Sequence, residues 1–292
     1  MTVRDKPQSP GYKVWSRLKH NRAAMFSAGI ILSLIIAVIL GPWLSPYTAE
    51  QIDYTAIAEK PSLSNAHIFG TDSLGRDIFV RTMQGSQISL LIGLVATMVS
   101  LVIGINYGAI AGYFGGRVDA LMMRMVDILY AMPFMFFVIL LMVFFGRNIF
   151  LIFIAIGAIN WLDIARIVRG QTLAIKQQAY IEAAQIYGAG HRQIIQRHIV
   201  PNLLGVVVVY ITLTIPQVIL VESFLSFLGL GIQEPMTSLG ALVSEGANEM
   251  ESYSWMLIFP ALFLSLILFC FNFIGDGLRD ALDTKQAMGM KK

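Results

Sequence analysis

The stretch "EAAQIYGAGHRQIIQRHIVPN", residues 182–202, is polar and helix-forming, with two Arg and two His, in a chain of 56% hydrophobic and 13% charged residues. Soluble domains run at roughly 45–50% apolar and about 25% charged, so most of this chain is suited to lipid and the stretch is the exception. With its upstream neighbour it reads "RIVRGQTLAIKQQAYIEAAQIYGAGHRQIIQRHIVP" (166–201), in which Tyr180, Ala183, Ala184 and Tyr187, then Ile194, Ile195 and Ile199, recur at helical spacing. Gly188 and Gly190 can both adopt the left-handed backbone that ends a helix, and Pro201 is expected to stop the next one. Adjacent spans need only about 2–8 linking residues. A segment this long is therefore either an amphipathic hairpin on the lipid headgroups or a docking knob for a cytoplasmic partner.

On either side lie apolar runs long enough to cross a hydrocarbon core, which takes about 20 residues of helix. Six are expected: 23–44, 88–111, 125–145, 149–167, 203–228 and 255–273. Asn160 and Asp163 interrupt the fourth, and the third needs Asp127 near its cytoplasmic end. The predicted fold class is an all-α integral membrane protein, with one six-helix domain over residues 23–283, a cytoplasmic segment 1–22 and a cytoplasmic tail 284–292. The first run is about 22 residues, longer than the roughly 7–15 of a signal h-region, and "GPWLSP" offers no small-x-small cleavage site. It reads as a retained anchor. Cys270 is the single cysteine, so no internal disulfide forms.

Basic residues mark sidedness. With the N-terminus in the cytoplasm, 17 of the 21 Lys and Arg fall inside, and the loop 229–253, with four Glu and no Lys or Arg, falls outside. Both termini and the segment 166–201 are thereby placed in the cytoplasm. The pI near 9.0 does not imply nucleic acid, because the basic residues do not gather on a polar domain.

The order Glu182-Ala183-Ala184, three residues, Gly188, then Ile199-Val200-Pro201 resembles the EAA loop of importer-type ABC transporter permeases. His198 and Val200 stand where the general pattern has Ile and Leu. "FGTDSLGRDIFVR" (69–81), "WLDIARIVRGQTL" (161–173), "ESFLSFLGLGIQEP" (222–235) and "NFIGDGLRDALD" (272–283) are similar to the C-type permease subunit of bacterial oligopeptide and dipeptide transporters. The resemblance implies a type I importer permease fold in the bacterial cytoplasmic membrane. It also implies that Glu182, Ala183, Ala184, Gly188, Ala189 and Pro201 belong to the ATPase-docking loop, whose first short helix is the coupling helix. The implied partners are a second, B-type permease, two ATP-binding subunits that hold ATP and Mg, an extracytoplasmic peptide-binding protein and a peptide substrate. This chain itself would hold no cofactor or metal and carry no ATPase site.

Other motifs carry less. Gly70 to Asp77 has P-loop glycine spacing, but Arg76 and Asp77 replace the Lys and the hydroxyl residue, so an interfacial turn in which Arg76 pairs with Asp72 or Asp77 is expected. The four His are scattered without H-E-x-x-H, and Phe273 breaks the G-x-G-D pattern of an intramembrane protease before Gly275-Asp276. Asp163 is spaced to pair with Arg166 one turn on. Glu222, in an otherwise uncharged run, should face a polar neighbour rather than lipid. With Ser223 and Ser226 it is the candidate pathway or interface group, or else a helix-packing one. Pro133, Pro216 and Pro260 predict kinks. The expected function is a permease subunit working by alternating access. The alternatives are a proton-coupled secondary transporter using Asp163 and Glu222, or an ABC permease for a non-peptide substrate such as nickel.

Overall fold

The computed structural model of the chain describes residues 10–146 and 149–282. The tail 284–292, the first nine residues of the segment 1–22 and Arg147 lie outside the described residues. Among those described, the regular elements are all helices, and the only β-type pairing is an isolated bridge between Thr71 and Asp77.

An amphipathic helix α1 (Pro10–His20) precedes α2 (Arg22–Leu44), α3 (Ile78–Phe114), α4 (Gly116–Ala131), α5 (Phe134–Phe145) and α6 (Ile149–Lys176). There follow α7 (Ala179–Ile186), α8 (His191–Ile194), a π-helical turn Ile195–Ile199, α9 (Val200–Phe227), α10 (Leu239–Asn248) and α11 (Trp255–Leu282). Among the described residues, four helical rods are each long and apolar enough to cross a membrane: α2, α3, the unit His191–Phe227, and α11. The pair α4 and α5 makes a fifth only if counted together.

That pair differs from the continuous run expected over 125–145: its two helices meet at an 80° bend. The break is at Met132 and Pro133. Proline's ring disfavours helical backbone in the residue before it, and Met132 is extended, at φ −74° and ψ 132°. Pro216 and Pro260, by contrast, sit inside α9 and α11, which continue through them. Pro201 does not stop a helix as expected. It occupies the first turn of α9, and the π turn just before it, closed by Val200 N–H donating to the Ile195 carbonyl, makes the rod continuous from α8. A proline clashes with the carbonyl four residues back; the wider π turn takes up that misfit.

At the centre lies α3, 37 residues and so about 55 Å long. Gly104, Gly108 and Gly112 form one stripe on it, packed against α6 so closely that a Cβ on Gly104 would lie 2.7 Å from the Ile164 Cβ and one on Gly112 2.8 Å from the Arg169 carbonyl. A Cβ on Gly108 would overlap the Ala165 carbonyl. Small residues four apart let two membrane helices touch backbone to backbone, as α3 and α6 do along this stripe. Arg169 of α6 then reaches α4, donating from Nε and Nη2 to Asp119 at 2.6 and 2.5 Å. Arg166 does likewise, bonding Asp127 at 2.9 Å and lying over the Tyr130 ring. The expected Asp163–Arg166 pair is therefore not formed. Asp163 is exposed, because the Arg166 side chain crosses to the neighbouring helix.

Candidate functional site

The segment 177–199 stands at one end of the bundle. α7 is anchored by Ile181, which is fully buried in a cluster with Ala109 and Tyr113 of α3, Val168 of α6, and Ile194, Ile195 and Ile199 of the rod that follows. Its C-terminus closes as a Schellman motif. Gly188 adopts φ +82°, its N–H donates to the Gln185 carbonyl and the Ala189 N–H donates to the Ala184 carbonyl, both at 3.0 Å. Gly190 is extended at φ −67°, so only one of the two glycines supplies left-handed backbone.

This geometry gives each residue singled out above a position. Glu182 is exposed in the first turn of α7, where a carboxylate complements the helix dipole. Ala183 accepts the Tyr187 N–H, and half-buried Ala184 and Ala189 meet across the cap. The reversal leaves Ile186 and Tyr187 at the tip, 84% and 90% exposed. Helical spacing had grouped Tyr187 with the alanines, and the structure shows that it points out. The short, capped helix thus ends on an exposed Ile-Tyr pair.

Glu222 lies elsewhere, in α9 toward the opposite end, and is fully buried within this chain. Its Oε1 accepts from the hydroxyls of Ser226 at 2.7 Å and Ser238 at 2.6 Å, and its Oε2 receives a longer contact from Ser89 at 3.5 Å. Ser238 caps α10 by accepting the Ala241 N–H, and Ser89 accepts the Leu239 N–H. The carboxylate thus pins α10 to α3 and α9. Ser223 takes no part, donating instead to the Ile219 carbonyl. Within this chain the geometry supports a packing role for Glu222 shared with Ser226 and Ser238.

The opposite end is closed by the loop 45–77. Asp72 is buried there between Arg76 Nε at 2.7 Å and Arg81 Nη1 at 2.6 Å, and Arg81 also reaches Glu245 of α10 at 2.8 Å. The guanidinium of Arg76, bonding Glu234 at 2.5 Å, holds that carboxyl below the usual carboxylate range. Asp72 also accepts the Leu74 and Arg76 N–H groups, and Asp77 caps α3 while bonding His67 at 2.8 Å. The N–H donors a P-loop would offer to phosphate are thus taken within the loop, those of Leu74 and Arg76 by the Asp72 carboxylate and those of Gly70, Thr71, Asp72 and Gly75 by backbone carbonyls. Arg76 pairs with Asp72, as its spacing predicts.

A chain of apolar rods, one glycine-packed helix pair and a capped helix carrying an exposed apolar tip has the make-up of a transporter's membrane subunit. The chain belongs to the family described as binding-protein-dependent transport system inner membrane component, which matches residues 104–287. Residues 9–61 match the N-terminal TM domain of oligopeptide transport permease C. The chain is 55% identical to the oligopeptide transport system permease protein OppC of Haemophilus influenzae, covering 96% of this chain and 92% of that one. It is 54% identical to OppC of Escherichia coli K12, over 96% and 94% of the two chains. With the dipeptide transport system permease protein DppC of Bacillus subtilis it shares 46%, over 93% and 84%. It is accordingly a multi-pass inner-membrane protein of the permease type, and a proton-coupled carrier finds no support among its relatives.

Proposed function

We propose that the chain is one of two permease subunits of an ATP-driven importer that brings oligopeptides across the cytoplasmic membrane. The exposed Ile186-Tyr187 tip on the Schellman-capped α7, inside the loop 166–201, carries this reading, because two large apolar side chains so exposed at a polar membrane face call for a protein groove. The names of the relatives support peptides as the substrate class. The bias of Lys and Arg supports cytoplasmic termini and a cytoplasmic α7. Six crossings follow if the bent pair α4–α5 counts as one and α6 as another, within a domain over 23–283 between the segments 1–22 and 284–292.

In this reading Glu182, Ala183, Ala184, Gly188, Ala189 and Pro201 shape the docking loop. Two partner ATPases bind ATP and Mg and draw together, carrying the two coupling helices with them. The loop passes that displacement to α6 and to the rod α8–α9, and the shared path with the B-type permease opens alternately to either side. An extracytoplasmic binding protein delivers the peptide. Affinity purification of the tagged chain from its native membrane is expected to recover the second permease and both ATPases. The reconstituted complex should then take up peptide only with ATP and the binding protein, unaffected by a protonophore. A chain that purifies alone and loses uptake with the proton gradient would refute the reading.

A further inference from the structure

The α7 loop has two feet, and both rest on one side chain of α3. The Tyr113 hydroxyl is hydrogen-bonded to Nδ1 of His191, the first residue of α8, at 2.8 Å, and the Phe114 ring lies beside the same imidazole with centroids 5.5 Å apart. The Tyr113 ring also receives the Lys176 ammonium, at 5.6 Å from its centroid. Lys176 ends α6 and His191 begins α8, so the residues on either side of α7 meet at Tyr113. The Tyr113 side chain is itself buried, in the cluster that holds Ile181 from beneath α7. One residue earlier, Gly112 packs on the backbone of α6.

Beyond α8 the chain enters the π turn Ile195–Ile199, and π turns inside helices mark places where a rod can bend. A push on α7 reaches α3 through the buried Ile181 cluster, which packs without direction, and through the Tyr113–His191 bond, which ties the start of α8 to α3. We propose that Tyr113 is a positioning residue that clasps the base of the α7 loop through His191, so that α7, α3 and α6 move as one body when the loop is displaced. This rests on the docking reading above and adds the helix pair that receives the motion.

Purified, reconstituted full complex tests it, with yield, ATP hydrolysis and peptide uptake measured on the same preparation. Tyr113→Phe keeps the ring and the Lys176 contact and removes only the hydroxyl. It is expected to leave yield and ATP hydrolysis within about twofold of wild type while uptake falls at least fivefold, so that more ATP is used per peptide. His191→Leu should shift that ratio similarly, and the double variant should lose no more than either single one, as expected for two groups acting through one contact. An unchanged ratio in Tyr113→Phe, additive losses, or a parallel fall of yield, hydrolysis and uptake would each overturn the clasp. Failure of the docking reading looks different, since wild-type preparations would then contain no ATPase subunits.

Discussion

Gly188→Val is expected to leave the chain in the membrane at wild-type level and to abolish ATP-driven uptake. A Cβ at this position would meet nothing within 4 Å, so the effect is one of backbone conformation, not crowding. With φ at +82° the residue lies where side chains, and β-branched ones above all, are disfavoured. Holding a non-glycine residue there costs about 1–3 kcal/mol. The segment escapes this cost by opening the Schellman turn, which releases both N–H donors and swings Ile186 and Tyr187 out of register. A shift of about 2 kcal/mol reduces the closed turn roughly thirtyfold relative to the open one. The helices beyond the loop rest on Ile181, Ile194 and Ile199, which the substitution does not touch. The losses should be graded, smallest for Gly188→Asn, which tolerates the left-handed region, larger for alanine and largest for valine. Wild-type uptake by the valine variant would contradict the assignment of α7 as the coupling helix.

Glu222→Leu is expected to reduce the yield of assembled complex severely, whereas Glu222→Gln should preserve both yield and uptake. The leucine variant strands the Ser226 and Ser238 hydroxyls, which donate to the carboxylate at 2.7 and 2.6 Å in a fully buried site. Each buried donor left without an acceptor costs about 1–3 kcal/mol. Because Ser238 also caps α10, the loss loosens that helix from α9 and α3. Glutamine keeps an oxygen for the two short bonds and can turn its amide toward Ser89. Full yield with leucine would show that the cluster is not structural. Full yield with glutamine but no uptake would assign the carboxylate's charge a part in transport.

Much of this fold is legible along the chain, because lipid imposes a simple rule on length and composition. The apolar runs, the helix–glycine–helix pattern of 182–202 and the left-handed Gly188 all follow from local chemistry. What local spacing misses is decided by neighbours distant in sequence. Asp163 and Arg166 are placed to pair on one helix, yet Asp127, 39 residues away from Arg166, takes the arginine. Ser226, one turn beyond Glu222, is legible as a packing partner, whereas Ser238 and Ser89, 16 and 133 residues away, are not. Pro201 obeys no simple stop rule because a π turn absorbs it. The stripe Gly104, Gly108 and Gly112 was visible as a small-xxx-small pattern and is the one signal of the α3–α6 seam that spacing alone could have supplied. Tyr187 shares the helical spacing of Tyr180, Ala183 and Ala184, and periodicity identifies such a face but not which protein covers it.

The central claim, that the tip of α7 lies in a groove of an ATP-binding partner on the cytoplasmic side, is tested most directly by covalent capture from that tip. Tyr187→Cys bearing a photoactivatable thiol crosslinker is the probe, in membranes containing the whole complex, with the parent chain and its buried Cys270 as the control. The expected result is a single major adduct joining this chain to an ATPase subunit, and no reaction of that position with membrane-impermeant thiol reagents in intact cells. Capture of lipid or of an extracytoplasmic protein instead, with ready labelling from outside, would contradict the docking, the orientation and the proposed transmission together.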